Sequence, residues 1–298
     1  MVLNSHGMMR ILLLLGVVST LGCDPSLRRD SGPDLHTGAP VVDGGQNIDS
    51  ARRADTIATS DLAQADLRHA DLRAPDAKIN VCAPIAGAKY STLSTVDPSK
   101  KPAKVHGDVN LLLRSVRLAG AAKNGLVQIN GPTDHAPPPQ LFSLFKDDRV
   151  PTFVAGYQVG SWDWGCDCQK GYIGSPEVTL SGVQTAPGEQ IRTPHSGYDI
   201  GGGHTALVLY AAKDTITLKY TREDNVVKGY TIHLSGICVE PSLQALYEQS
   251  VKGGRVVLPA LSSRQALGRA AGNELRVSIR DTGSWMDPRS KKDWWQGK

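Results

Sequence analysis

From Cys82 onward the chain breaks into short segments in which apolar and polar residues alternate, separated by Gly and Pro. Alternation with period two puts every second side chain on one face of an extended strand, so it predicts half-buried β structure. Thr215-Ile-Thr-Leu-Lys-Tyr-Thr221 alternates strictly, with Ile216, Leu218 and Tyr220 on one face. Glu274-Leu-Arg-Val-Ser-Ile-Arg280 does the same with Leu275, Val277 and Ile279. Val127–Ile129, Ala206–Tyr210, Tyr230–Leu234 and Arg255–Leu258 add further strands. Helical spacing is sparse: Pro241-Ser242 followed by Leu243, Leu246 and Tyr247 predicts one short helix, with Ser as its cap. Pro137-Pro-Pro139 predicts a loop, and Gly201-Gly-Gly203 a flexible turn, since no helix pattern follows it. The expected fold class is mainly β, an antiparallel β-sandwich or partly open barrel.

The first third follows none of these patterns. No aromatic residue occurs before Tyr90 in the 298-residue chain, so this stretch lacks the side chains that dominate core burial. Its apolar run, Ile11-Leu-Leu-Leu-Leu-Gly-Val-Val18, follows Met8-Met9-Arg10 and precedes Ser19-Thr-Leu-Gly-Cys23. A basic start, a short apolar stretch and small residues before a cleavage point describe a secretory signal over residues 1–22. Gly22-Cys23 resembles the lipobox of bacterial lipoproteins, which implies lipidation of Cys23. The alternative is an ordinary signal peptide with Cys23 removed or buried. Residues 23–79 are expected to form a long disordered tether, because Asp, Ala, Arg, Gly, Ser and Pro cannot bury enough surface to offset chain entropy. Three pentapeptide-like units beginning at Ser60, Ala65 and Ala70 are too few to stack a core. Residues 24–79 carry a net charge of −3 and residues 80–298 a net charge of +6, so a modestly basic globular region suits an anionic neighbour. That region divides into an N-terminal β region, 80–189, and a second β region, 190–298. A polytopic membrane protein is excluded, because no other run approaches the ~20 apolar residues of a spanning helix.

Cysteine usage agrees with export. Beside Cys23 the chain has Cys82, Cys166, Cys168 and Cys238, and four thiols in an oxidising compartment imply two disulfides. A bond within Cys166-Asp-Cys168 closes a very small ring, so each of these two is expected to pair outward, with Cys82 and Cys238 in either order. A zinc knot is disfavoured because no His lies near the Cys-x-Cys pair. Beside these cysteines, Trp162 and Trp164 share parity. They are expected in the core, with a sugar-stacking surface extended by Trp285, Trp294 and Trp295 as the binding alternative.

The histidines carry the remaining chemistry. His195-Ser-Gly-Tyr-Asp199 is an H-x-G-x-D constellation in which a glycine turn can bring imidazole and carboxylate together. After it come Tyr230-Thr-Ile-His-Leu234, Arg264-Gln-Ala-Leu-Gly268, Gly272-Asn-Glu-Leu-Arg-Val-Ser-Ile-Arg280 and Gly283-Ser-Trp-Met-Asp-Pro288. This order, over roughly residues 190–290, resembles the lysostaphin/LytM-type zinc metallopeptidases of the cell wall. The resemblance implies a LytM-like β fold in the C-terminal half, with His195 and Asp199 as metal ligands and His233 as a candidate catalytic histidine. The third ligand of the family is the second His of a His-Leu-His strand, where this chain has Glu274-Leu-Arg276. A guanidinium keeps its proton and offers no lone pair, so Arg276 places a fixed positive charge where the metal would sit.

The implied protein is a lipid-anchored envelope protein whose degenerate, non-catalytic module binds cell-wall material or regulates a wall-cleaving enzyme, with no cofactor. Its partners are cell-wall polymer or an envelope hydrolase, and it meets the membrane through the N-terminal lipid alone. One alternative is an active Zn2+-dependent peptidoglycan or polysaccharide hydrolase using His195, Asp199 and His233. Another is a structural or carbohydrate-binding lipoprotein. A nucleophile elbow, a phosphate-binding loop and an aromatic-basic nucleic-acid motif are all absent from the sequence.

Overall fold

A computed structural model describes residues 80–119, 125–134 and 136–298. The expected signal segment 1–22, the expected lipidation site Cys23 and the expected tether 23–79 lie outside the described residues.

The described chain is built from β1 (Ser91–Ser94), β2 (Val116–Leu118), β3 (Phe153–Asp163), β4 (Cys168–Tyr172), β5 (Leu180–Gln184), β6 (Gln190–Arg192) and β7 (Ala206–Ala212). It continues through β8 (Thr215–Lys219), β9 (Tyr230–Ser235), β10 (Ile237–Val239), helix α1 (Pro241–Lys252), β11 (Val257–Leu261), β12 (Ala266–Ala270), β13 (Glu274–Asp281), β14 (Ser284–Met286) and α2 (Lys291–Trp294). The main sheet is open and antiparallel, in the order β1-β11-β7-β8-β9-β13-β5-β3-β2, with β14 on β13 and β4 on β3. Strands from 80–189 and from 190–298 therefore share one sheet, β13 pairing with both β5 and β9. A second sheet, β10-β12-β6, contributes Ile191, Ile237, Val239, Leu267 and Ala270 to the same core as the first.

The alternating strands fall as their sequence dictates. Ile216, Leu218 and Tyr220 are buried together with Ile232, Leu234, Leu275, Val277 and Ile279 in the main core. Val127 forms only an isolated bridge with Ser290. The helix forms where expected, but it begins at Pro241 and its cap is Glu240 rather than Ser242; the Glu240 carboxylate accepts from the backbone N–H of Ser242 and Leu243. Trp294 and Trp295 are buried, their indole N–H groups donating to the carbonyls of Asp287 and Pro288, so they extend no surface.

The disulfides correct the expected outward pairing. Cys82 bonds Cys238, and Cys166 bonds Cys168 within the β3–β4 turn. The small ring is accommodated because Asp167 takes a left-handed conformation, φ 51°.

Candidate functional site

The faces opposite the apolar ones carry polar rows that run across the sheet. Register sets Thr217 beside His233 and His233 beside Ser278, and likewise Lys219 beside Thr231 and Thr231 beside Arg280. All six are buried. The segment ahead of β2 covers part of this face: Thr217 donates to the Val109 carbonyl, and Asp108 bridges Arg114 and Arg280 at 2.8 Å each. Trp285 closes it, stacked on His233 at 5.9 Å with Arg280 over its ring at 4.7 Å.

His233 is thus a sealed group. Its Nδ1 lies 3.0 Å from Thr217 Oγ1, and Nε2 is buried with no hydrogen-bond partner among the described residues. Burial holds its pKa well below the ordinary imidazole value, and Arg280 and Arg114 act in the same direction. Farther along β13, Glu274 and Arg276 are half-buried: Tyr157 donates to Glu274 at 2.8 Å, and Arg276 lies over the Tyr157 ring at 4.8 Å and 3.4 Å from Glu274.

His195 and Asp199 lie elsewhere. The neighbouring Pro194 carbonyl accepts from Tyr220, a core-face side chain, and the His195 N–H donates to Ser143 Oγ. His195 Nδ1 sits 2.9 Å from Ser263 Oγ, and the Asp199 carboxylate accepts from Gly201 N–H at 2.7 Å, closing a turn. Arg276 and His233 point to the opposite side of the sheet from Tyr220, so the four residues do not converge. Among the described residues no group of three or more His, Cys, Asp and Glu is placed to hold a metal. With a guanidinium in the third position and the Asp199 carboxylate engaged in its turn, the residues do not fit a zinc centre.

At the β3–β4 turn, Trp162 packs on Gly107, where a Cβ would come within 2.5 Å of the indole, and Arg114 lies 5.6 Å from its ring. Trp164 is 49% exposed, which corrects its expected place in the core. Lys101 lies 5.1 Å from the Trp164 ring and pairs with Asp167.

The segments that carry the sequence pattern do meet, through residues that were not singled out. Tyr198 from the H-x-G-x-D turn and Tyr230 from the start of β9 both donate to one carboxylate oxygen of Asp134, Tyr198 at 2.9 Å. Burial, helped by Asp134, pushes the Tyr198 phenol up to about 12 and raises that of Tyr230 further. A cleft of about 330 Å³ opens beside them, lined in part by Asp134, Tyr230, Asp281, Met286, Lys292 and Asp293. Lys292 is already held by the Pro132 carbonyl, Thr133 and Asp293. The cleft therefore offers an aromatic wall and more carboxylates than cations. The sequence signal for it was weak: a Tyr inside the turn motif and another opening a strand, with Asp134 far away in the chain. Compared with protein-family models, curated proteins and solved structures, the chain matches none.

Proposed function

We propose that the chain is an exported, lipid-anchored envelope protein whose β module binds cell-wall polymer without cutting it, through the cleft at Asp134 and Tyr230. The observation that carries the reading is that cleft. Two tyrosines orient the Asp134 carboxylate, and among the described residues Asp281 and Asp293 share the lining with one cation, Lys292. Such a lining recognises an ammonium group on an apolar stem: carboxylates take the charge, and Tyr230 and Met286 take the stem. Wall peptides carry groups of this kind. The non-catalytic part of the reading draws support from Asp199 and His195 being engaged in local bonds and from the Glu274–Tyr157–Arg276 assembly where the resemblance expects a ligand strand.

Sedimentation with purified insoluble peptidoglycan tests it. The protein is expected to pellet with the wall, Asp134→Asn to weaken binding roughly tenfold, the equivalent of about 1.4 kcal/mol, and acetylation of the wall's free amines to do the same. Equal pelleting of variant and parent, or none by either, overturns the proposal. Release of soluble wall fragments that a chelator stops and His195→Ala abolishes establishes the hydrolase instead.

A further inference from the structure

The two disulfides differ in loop length and in exposure, both of which govern exchange. Cys82–Cys238 joins positions 156 residues apart; Cys238, on β10, is buried and Cys82 is half-buried. Cys166–Cys168 joins positions two apart, and both cysteines are exposed. The ring also holds Asp167 at φ 51°, a conformation that costs a non-glycine residue energy. The strand behind it, β4, pairs only with β3 and contributes nothing to the main core, so opening the ring leaves the sheet intact. Asp163 pairs with Lys170 at 3.4 Å and Asp167 with Lys101, so each carboxylate flanking the sulfurs carries a cation and an incoming thiolate meets no uncompensated negative charge.

We propose that Cys166–Cys168 is an exchange site for a dithiol partner, small molecule or protein, independent of the wall-binding cleft. One thiolate of the partner attacks Sγ of Cys168. The Cys168–Cys166 bond breaks as the mixed disulfide forms, and Cys166 leaves as a thiolate. It takes a proton from solvent, and its sulfur lies 3.7 Å from the Asp163 carbonyl, to which the new thiol donates. The partner's second thiolate then attacks the mixed disulfide, releasing Cys168. The protein pair gains two electrons and the partner leaves as its own disulfide. Reduction frees Asp167 from its left-handed conformation and loosens the turn that carries Trp164. A short, exposed ring loses little on opening, whereas the long-range bond is less exposed and constrains most of the described chain.

The test is timed reduction of the native full chain by dithiothreitol, with alkylation and peptide mass analysis. Cys166 and Cys168 are expected to label at least tenfold faster than Cys82 and Cys238, with the β circular dichroism spectrum retained throughout. Equal rates, earlier opening of Cys82–Cys238, or labelling of Cys166 and Cys168 only after the β spectrum is lost overturns the proposal.

Discussion

His233 shows how one position on an alternating strand acquires a titration behaviour. Its neighbours Ile232 and Leu234 enter the core, so the imidazole faces the other way, where Thr217, Arg280, Arg114 and Trp285 enclose it. The folded protein holds it neutral, while the unfolded chain protonates it near the ordinary value of about 6.5. The unfolded state therefore binds more protons below that pH, and the contribution to stability, complete above about 6.5, is lost as pH falls toward the depressed folded value. Urea midpoints of the parent are expected to fall more steeply as pH drops below about 6.5 than those of His233→Gln, whatever the offset between the two. Parallel curves would show that His233 does not contribute this slope. Arg276 and Glu274 show the converse: nothing in their own strand buries them, and it is Tyr157, from β3, that half-buries them.

Elements were legible wherever their own pattern was complete. β8, β9 and β13 follow from strict alternation, and α1 from Pro241 and its apolar spacing. β3 was missed because Gly156 and Gly160 break its pattern, and the glycine at 160 is there for a neighbour: a Cβ would come within 2.3 Å of the Gln169 side chain. The cap of α1 was misassigned because Ser242 is the common capping type, whereas Pro241 occupies the first turn and leaves Glu240 to reach the free N–H groups. Glu240→Ala is expected to lower stability by about 1 kcal/mol, read from chemical denaturation, with Ser242→Ala costing less. The reverse ranking would restore Ser242 as the cap.

At the scale of the whole molecule, Cys82–Cys238 ties the start of the described region to the small sheet across 156 residues. Such a bond restricts the unfolded chain far more than a short loop does. The double change Cys82→Ser with Cys238→Ser is expected to cost about 2–5 kcal/mol, visible as a lower unfolding temperature, while Cys166→Ser with Cys168→Ser leaves that temperature nearly unchanged. Comparable losses in the two variants would mean that the exposed ring also holds the fold.

The sequence by itself determined the mainly β class, the faces of the alternating strands, the site of α1 and the count of disulfides, because period, helix-start chemistry and cysteine parity are properties of neighbouring residues. Tertiary structure alone decided which cysteines pair, which face of the sheet became a buried polar layer, and that Asp134 joins Tyr198 and Tyr230 while His195, Asp199, His233 and Arg276 stay apart. Those outcomes depend on which distant segment covers each face, and a strand's alternation specifies two faces without naming what will lie on either.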